Sequence, residues 1–292
     1  MNAIHPTQEA PEDRPPFGTY APTAMQQRLI AFTRRQPETW LGKRLAFFAR
    51  RLVMLGLHHP LDVEVFGQKM RLNPFNNVSE KRILFTPQYF DPRERDLLAD
   101  HIHADRPHAQ YVFVDIGANV GGYSLFAAGQ AGRDARILAI EPQPIVFDRL
   151  VCNIGLNPSG TVKAIACALA DKEGTMTLFM PARNKGEASV KYVGTPGDED
   201  RAVEVPARTL LGILGEEGID HIDALKIDVE GAEDLILAPF LAEAPRDLLP
   251  RMLIIEHARD RWQTDCIALL EKAGYREKVE TRLNMVMVRE DA

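Results

Sequence analysis

Tyr111-Val-Phe-Val-Asp-Ile-Gly-Ala-Asn-Val-Gly-Gly-Tyr123 is the stretch whose reading decides the fold. Val112, Phe113, Val114 and Ile116 make its first half apolar on both faces, as in a strand of a parallel sheet covered by helices. Gly117, Gly121 and Gly122 then permit a sharp turn, and Tyr123 to Gln130 begins a helix. A strand, a glycine turn and a helix N-terminus aim free backbone N–H groups and a helix dipole at one spot. That combination is a cradle for a nucleotide or an anion.

Downstream, strand and helix patterns alternate. Arg136 to Ile140 reads as a strand ending at Glu141-Pro142, Pro144 to Leu156 as a helix, and Val162 to Ala168 as a third strand. Gly174 to Met180 and Ala202 to Ala207 read as extra strands around a polar loop, Ala182 to Arg201. Ile222 to Asp228 is a fourth core strand, followed by a helix to Leu237, and Arg251 to Glu256 is a fifth. Trp262 to Ala273 reads as a helix, and Tyr275 to Thr281 with Asn284 to Arg289 as a terminal hairpin. Repeated strand–helix units predict an α/β, doubly wound sheet with right-handed crossovers over residues 111–292.

Upstream, residues 1–22 carry five prolines and few apolar anchors, and are expected to be a disordered tail. Residues 23–110 read as a cap placed to cover the cradle: a helix over 23–35, a second over Glu38 to Leu57, a hairpin around Gly67-Gln68, and a helix started at Asp91-Pro92. In the second helix Leu41, Leu45, Phe48, Leu52 and Leu55 share one face, while Lys43, Arg44, Arg50 and Arg51 lie mostly elsewhere. The commoner use of such a face is packing on its own domain. The other use is a weak contact with an anionic membrane surface.

Composition bounds the partners. At 292 residues, 45% hydrophobic and 26% charged, the chain has the make-up of a soluble globular protein. Residues 1–110 hold 15 Lys/Arg against 12 Asp/Glu, a net of +3, and residues 111–292 hold 20 against 29, a net of −9, together −6. Neither half has the basic excess of a nucleic-acid binder, so no nucleic-acid partner is expected. The acidic half suits a cationic ligand. Cys152, Cys167 and Cys266 match no zinc or disulfide spacing, and reduced thiols with no apolar signal core point to a cytoplasmic protein. Oligomeric state leaves no mark on the sequence.

The cradle departs from the dinucleotide fingerprint, because Asn119 occupies the place of the second glycine. A side chain there obstructs a pyrophosphate but can hydrogen-bond a carboxylate and an amine, so an amino-acid-bearing nucleotide fits better. Glu141 ends the second strand at the offset where an acid accepts ribose hydroxyls. Asp171 either accepts an adenine amino group or forms the turn Asp171-Lys-Glu-Gly174. Leu225-Lys-Ile-Asp-Val-Glu-Gly-Ala-Glu233 carries Asp228 and Glu230 at a strand end, where open α/β sheets face their ligand crevice. These carboxylates are candidates to take a proton, hold a cation's field or, with Glu256, bind Mg²⁺, while Glu230 and Glu233 also read as helix caps. His257, one residue beyond the fifth strand, is a further candidate base.

Together these motifs resemble the FkbM-type methyltransferases, a class I family that uses S-adenosylmethionine. The resemblance covers Tyr111 to Arg289, with a weaker echo in Gln88 to Leu98. It is carried by Val114-Asp-Ile-Gly-Ala-Asn-Val-Gly121, Ile140-Glu-Pro142, Cys152-Asn-Ile-Gly-Leu-Asn157, Ala168-Leu-Ala-Asp171, the Leu225 to Glu233 run and Ile254-Ile-Glu256. It implies a Rossmann-like sheet of seven strands with helices on both faces, and methyl transfer to a hydroxyl of a sugar, glycan, lipid-linked or polyketide-like acceptor. It also implies that Asp115, Gly117, Asn119 and Gly121 hold the methionine part of the cofactor, Glu141 the ribose and Asp171 the adenine. Asp228 and Glu230 would face the methyl group. One departure is Thr209-Leu210-Leu211, where the family often has Thr-Leu-Asp. The competing classes are a nicotinamide oxidoreductase, which Asn119 disfavours, and a non-catalytic binding module.

Overall fold

The structure, a computed structural model, describes residues 14–104, 108–180 and 201–290. Helices α1 (Ala24–Arg34) and α2 (Trp40–Met54) lead into a hairpin of β1 (Leu61–Val65) and β2 (Gln68–Leu72), then α3 (Val78–Phe85) and α4 (Pro92–His103). The alternating part follows as β3 (Tyr111–Ile116), α5 (Gly122–Ala131), β4 (Ala135–Ile140), α6 (Pro144–Gly155) and β5 (Val162–Ile165). After β6 (Ala168–Leu169), β7 (Gly174–Met180) and β8 (Arg201–Arg208) come α7 (Leu210–Glu216), β9 (Ala224–Ile227), α8 (Glu233–Glu243) and β10 (Met252–Glu256). The chain ends with α9 (Cys266–Lys272), β11 (Tyr275–Glu280) and β12 (Asn284–Arg289).

Seven strands form one sheet in the order β11-β12-β10-β9-β3-β4-β5. β3 pairs in parallel with β4 on one side and β9 on the other, so the winding reverses beside it. In open α/β sheets that reversal opens a crevice at the strand C-termini, here just past Ile116, Ile140 and Ile227. All six residues of β3 are buried, as its apolar run requires. This is the class I methyltransferase architecture, with β12 antiparallel to β10 as the expected terminal hairpin. β6, β8 and β7 form a separate small sheet.

Several elements differ from expectation for local reasons. The run Val162 to Ala168 splits in two, because β5 loses its partner where β4 ends at Ile140, paired with Ile165. Ala168 then pairs with Ala207 of β8 instead. The hairpin turns at Phe66-Gly67, one residue early, with both residues at positive φ as a type I′ turn requires. The helix expected from Trp262 begins only at Cys266, where the Asp265 carboxylate accepts the N–H groups of Ile267 and Ala268. α7 was not anticipated, and Thr209 caps it by accepting from Gly212 N. The loop read over 182–201 lies outside the described residues, apart from its last position.

The stretch read as a tail also divides. Residues 1–13 lie outside the described residues, but Gly18 and Tyr20 donate to Asp62 Oδ2 at 2.8 and 3.1 Å. Arg71, held to Asp62 at 2.8 Å, donates onward to the carbonyls of Pro15 and Pro16. This buried ion pair on the hairpin anchors residues 15–20. The hairpin in turn is laced to α6: Asn153 accepts from Arg71 N, while Asn157 accepts from Lys69 N and donates to the Lys69 carbonyl. Those two asparagines explain the Cys152 to Asn157 motif as architecture. One continuous apolar cluster joins Ile30, Val53, Leu61 and Phe85 to Phe113 and Leu125, so the N-terminal elements share a core with the sheet.

α2 corrects the expectation of a packed leucine face. Its buried residues are Gly42, Ala46, Ala49 and Val53, while Leu41, Leu45, Phe48, Leu52 and Leu55 are exposed. The helix carries a second face, of small residues at the same spacing, and that face permits close approach. A Cβ on Gly42 would meet the Pro37 carbonyl oxygen at 2.2 Å.

Candidate active site

A cavity of about 290 Å³ opens at the C-terminal ends of β3, β4 and β9. Its walls include Asp115, Gly117, Asn119, Glu141, Asp228, Glu230 and Glu256, and α3 with the segment entering α4 closes one side. The fold therefore brings six of the nine candidate residues to one cavity.

At the cradle, strand ends come into near contact. Gly117 sits at φ 75°, and a Cβ there would lie 1.9 Å from the carbonyl oxygen of Asp228. Only glycine allows β3 and β9 to release their loops side by side. Gly121, at φ 90°, caps α5 and shapes the turn without lining the cavity. Asn119 also has positive φ, at 51°. Its side-chain oxygen accepts from Asn77 Nδ2 at 2.8 Å and from Val120 N at 3.0 Å, so it braces the turn against α3. The backbone N–H groups of Asn119 and Gln143 donate to the two oxygens of Glu141 at 3.0 and 2.9 Å. Burial raises the Glu141 carboxyl to about 7 against these bonds.

Asp115 is buried, accepts from Ser124 Oγ at 2.6 Å, and leaves its other oxygen, Oδ1, with no protein partner. Burial raises it, with the Lys226 charge working the other way. The buried Lys226 ammonium donates to Asp228 Oδ2 at 3.0 Å and lies 5.1 Å from the Tyr123 ring centroid. Burial would lower this lysine, but Asp228 and Asp115 hold it above the ordinary ammonium range. Tyr123 donates to Asp91 at 3.3 Å, and Asp91 lines the cavity from a left-handed backbone at the start of α4. Asp91 was read only as a helix cap; its carboxylate makes no capping bond.

At the ends of β9 and β10, Asp228, Glu230 and Glu256 each bring a carboxylate oxygen within 4.8 Å of the others. That spacing would also suit a divalent cation. Glu230 adopts φ 55° and pairs with Arg261 at 3.6 Å. Burial first, then the charges of Asp228 and Glu230, raises the Glu256 carboxyl to about 8. Glu233 holds this turn from outside, accepting from Val229 N, Gly231 N and Trp262 Nε1. Its role is architectural.

Two candidates stand off the cavity wall. His257 is exposed and off the cavity wall, because its N–H bonds the Leu283 carbonyl and its ring faces Glu280 at 3.4 Å. Asp171 is exposed in the turn after β6, whereas Cys167, Ala168 and Leu169 reach the cavity. Sequence reasoning missed Asp91, Tyr123 and Lys226 altogether. Lys226 carried a signal: a lysine inside an apolar core strand demands a buried counter-charge.

The residues present fit S-adenosylmethionine. Six acids and only two basic side chains, Arg82 and Lys226, line the cavity, which favours a sulfonium and an ammonium. The free Oδ1 of Asp115 and the backbone turn at Gly117 offer partners to the amino-acid end. The Glu141 side chain lines the cavity at the end of β4, within the same walls.

Comparison with known proteins gives a consistent picture. The family model described as methyltransferase FkbM domain matches residues 115–277. The methyltransferase sdnD of Sordaria araneosa is 33% identical over 168 residues, 48% of this chain and 64% of that protein. This chain thus spans less than two thirds of that relative's length. The 31-O-demethyl-FK506 methyltransferase FkbM of Streptomyces tacrolimicus is 25% identical over 225 residues, 65% of this chain and 85% of that protein. Among solved structures, the METTL16 MTase domain aligns with a TM-score of 0.48 at 15% identity, covering 98% of this chain and 96% of that one.

Proposed function

The chain belongs to the FkbM methyltransferase family, and from that premise we propose that it methylates a hydroxyl oxygen on a sugar, glycan, lipid-linked or polyketide-like acceptor. Its cofactor is S-adenosylmethionine, which supplies a methyl group already activated on a sulfonium. Asp115, Gly117 and Asn119 frame the amino-acid end and Glu141 the ribose. The chain's remaining tasks are to align the acceptor oxygen with the methyl carbon and sulfur, to exclude water and to take the hydroxyl proton.

The observation that carries this reading is the group of three carboxylates, Asp228, Glu230 and Glu256, at the β9 and β10 ends of the cavity. A carboxyl raised to about 8 takes a proton far more readily than an ordinary one, and Glu256 has that property at the cavity wall. Lys226 donates to Asp228 beside it. Transfer to oxygen is further supported by a relative named for the O-demethyl form of its acceptor. Incubation with methyl-labelled S-adenosylmethionine and a panel of hydroxylated sugars, lipid-linked glycans and polyketides tests it. Label located by NMR on a methyl ether oxygen supports the reading; label on nitrogen or carbon, or NAD binding in place of S-adenosylmethionine, overturns it.

A further inference from the structure

Large apolar side chains on the described surface are concentrated in one place. Of the twelve that stand exposed, seven lie between Trp40 and Leu55, on α2 and its C-cap. Trp40 is 71% exposed, Phe48 57% and Leu55 73%. The leucine face left out of the core therefore forms a stripe the length of the helix.

The same helix carries Lys43, Arg44, Arg50 and Arg51 and no acid, although the chain as a whole is at −6. Lys43 pairs with Glu38 at 2.9 Å; among the described residues no carboxylate pairs with Arg44, Arg50 or Arg51. Their guanidinium groups lie instead over aromatic rings, Arg44 at 4.7 Å from the Trp40 centroid and Arg50 at 5.1 Å from that of Phe47. Aromatic rings and cations interleaved beside an apolar stripe match the boundary between headgroups and acyl chains. A second copy of this chain is a poorer occupant. An isologous contact would set the two basic faces against each other, whereas anionic headgroups neutralise them.

We propose that α2 docks this protein in plane on an anionic lipid surface. The helix lies near the cavity mouth: Lys43 Nζ is 5.8 Å from the Tyr89 ring centroid, and the next two residues, Phe90 and Asp91, line the cavity. Docking would thus hold the cavity rim near the bilayer. For methyl transfer this favours a lipid-linked acceptor, a consequence that rests on the function proposed above, whereas docking itself does not.

Co-sedimentation of the full chain with phosphatidylcholine vesicles, with and without phosphatidylglycerol, tests the docking. Binding is expected to rise at least tenfold with phosphatidylglycerol and to fall in high salt. The double variant Leu45→Glu/Phe48→Glu should lose at least tenfold, and Arg44→Gln/Arg51→Gln about tenfold. Both should keep the wild-type melting temperature and S-adenosylmethionine affinity, since these side chains are exposed and off the cavity. Absence of binding, equal binding to both vesicles, or a dimer dispersed by Phe48→Glu overturns the proposal. Vesicle binding by a chain that fails to bind S-adenosylmethionine would sink the methyl-transfer reading and leave the docking intact.

Discussion

The acids at the two sides of the cavity are held by different kinds of partner. On the β3–β4 side, Glu141 takes two backbone N–H groups and Asp115 a serine hydroxyl, donors that carry no charge, although the Lys226 charge also reaches Asp115. On the β9–β10 side, Asp228, Glu230 and Glu256 crowd together and are balanced by the side-chain cations Lys226 and Arg261. Neutral donors suit a surface that binds one ligand in one pose. Crowded carboxylates with a raised member suit a surface that accepts a proton. Under the proposed function, the first side would hold the cofactor and the second would take the acceptor's proton.

The largest test breaks the charge balance between the sides. Lys226→Met leaves Asp228 and Asp115 without their common cation, and breaking a buried pair costs about 3–5 kcal/mol. Urea unfolding should show a loss of that size; a loss below about 1 kcal/mol would mean that Lys226 does not bind the two sides together.

Next in size, Glu256→Gln should lower methyl transfer about a hundredfold while leaving S-adenosylmethionine affinity within about threefold. Wild-type rate should climb as pH rises to about 8, where the Glu256 carboxyl loses its proton, and the variant should lack that limb. Stability gives the same group an independent readout. A carboxyl raised in the folded state contributes stability that is fully present below its unfolded value and is lost as pH rises through the folded one. The stability of the wild type relative to Glu256→Gln should therefore decline between about pH 5 and pH 8.

On the cofactor side, Gly117→Ala should weaken S-adenosylmethionine binding about tenfold and cost about 1–3 kcal/mol, because the new methyl meets the Asp228 carbonyl. Wild-type affinity in this variant would show that the two loops need no such contact. The smallest effect is expected from His257→Ala, less than about twofold in rate and affinity, since its ring faces Glu280 away from the cavity. A large rate loss there would move the chemistry outside the cavity.

The β3 run, the glycine turn and the strand-end acids were legible because each is a local pattern with one physical reading. A strand buried on both faces has to be apolar throughout, and a turn between touching loops has to contain glycine. α2 was half legible: its helix followed from periodicity, but two faces of equal spacing competed. Leucine size pointed to the wrong one, because close packing selected Gly42 and Ala46. Asp91 and Tyr123 were not legible as site residues, since they meet from elements 32 positions apart, whereas Lys226 was legible as a buried cation but not its partners. His257 fits the pattern by chain position, but its backbone bond to Leu283 and its ring against Glu280 leave it off the cavity wall.

Calorimetric titration of S-adenosylmethionine into the wild type, Asp115→Asn and Glu256→Gln tests the division between the two sides most directly. The wild type should bind, Asp115→Asn should lose at least about tenfold with the free carboxylate oxygen gone, and Glu256→Gln should stay within about threefold. Equal losses in both variants, or no binding by the wild type, would contradict it.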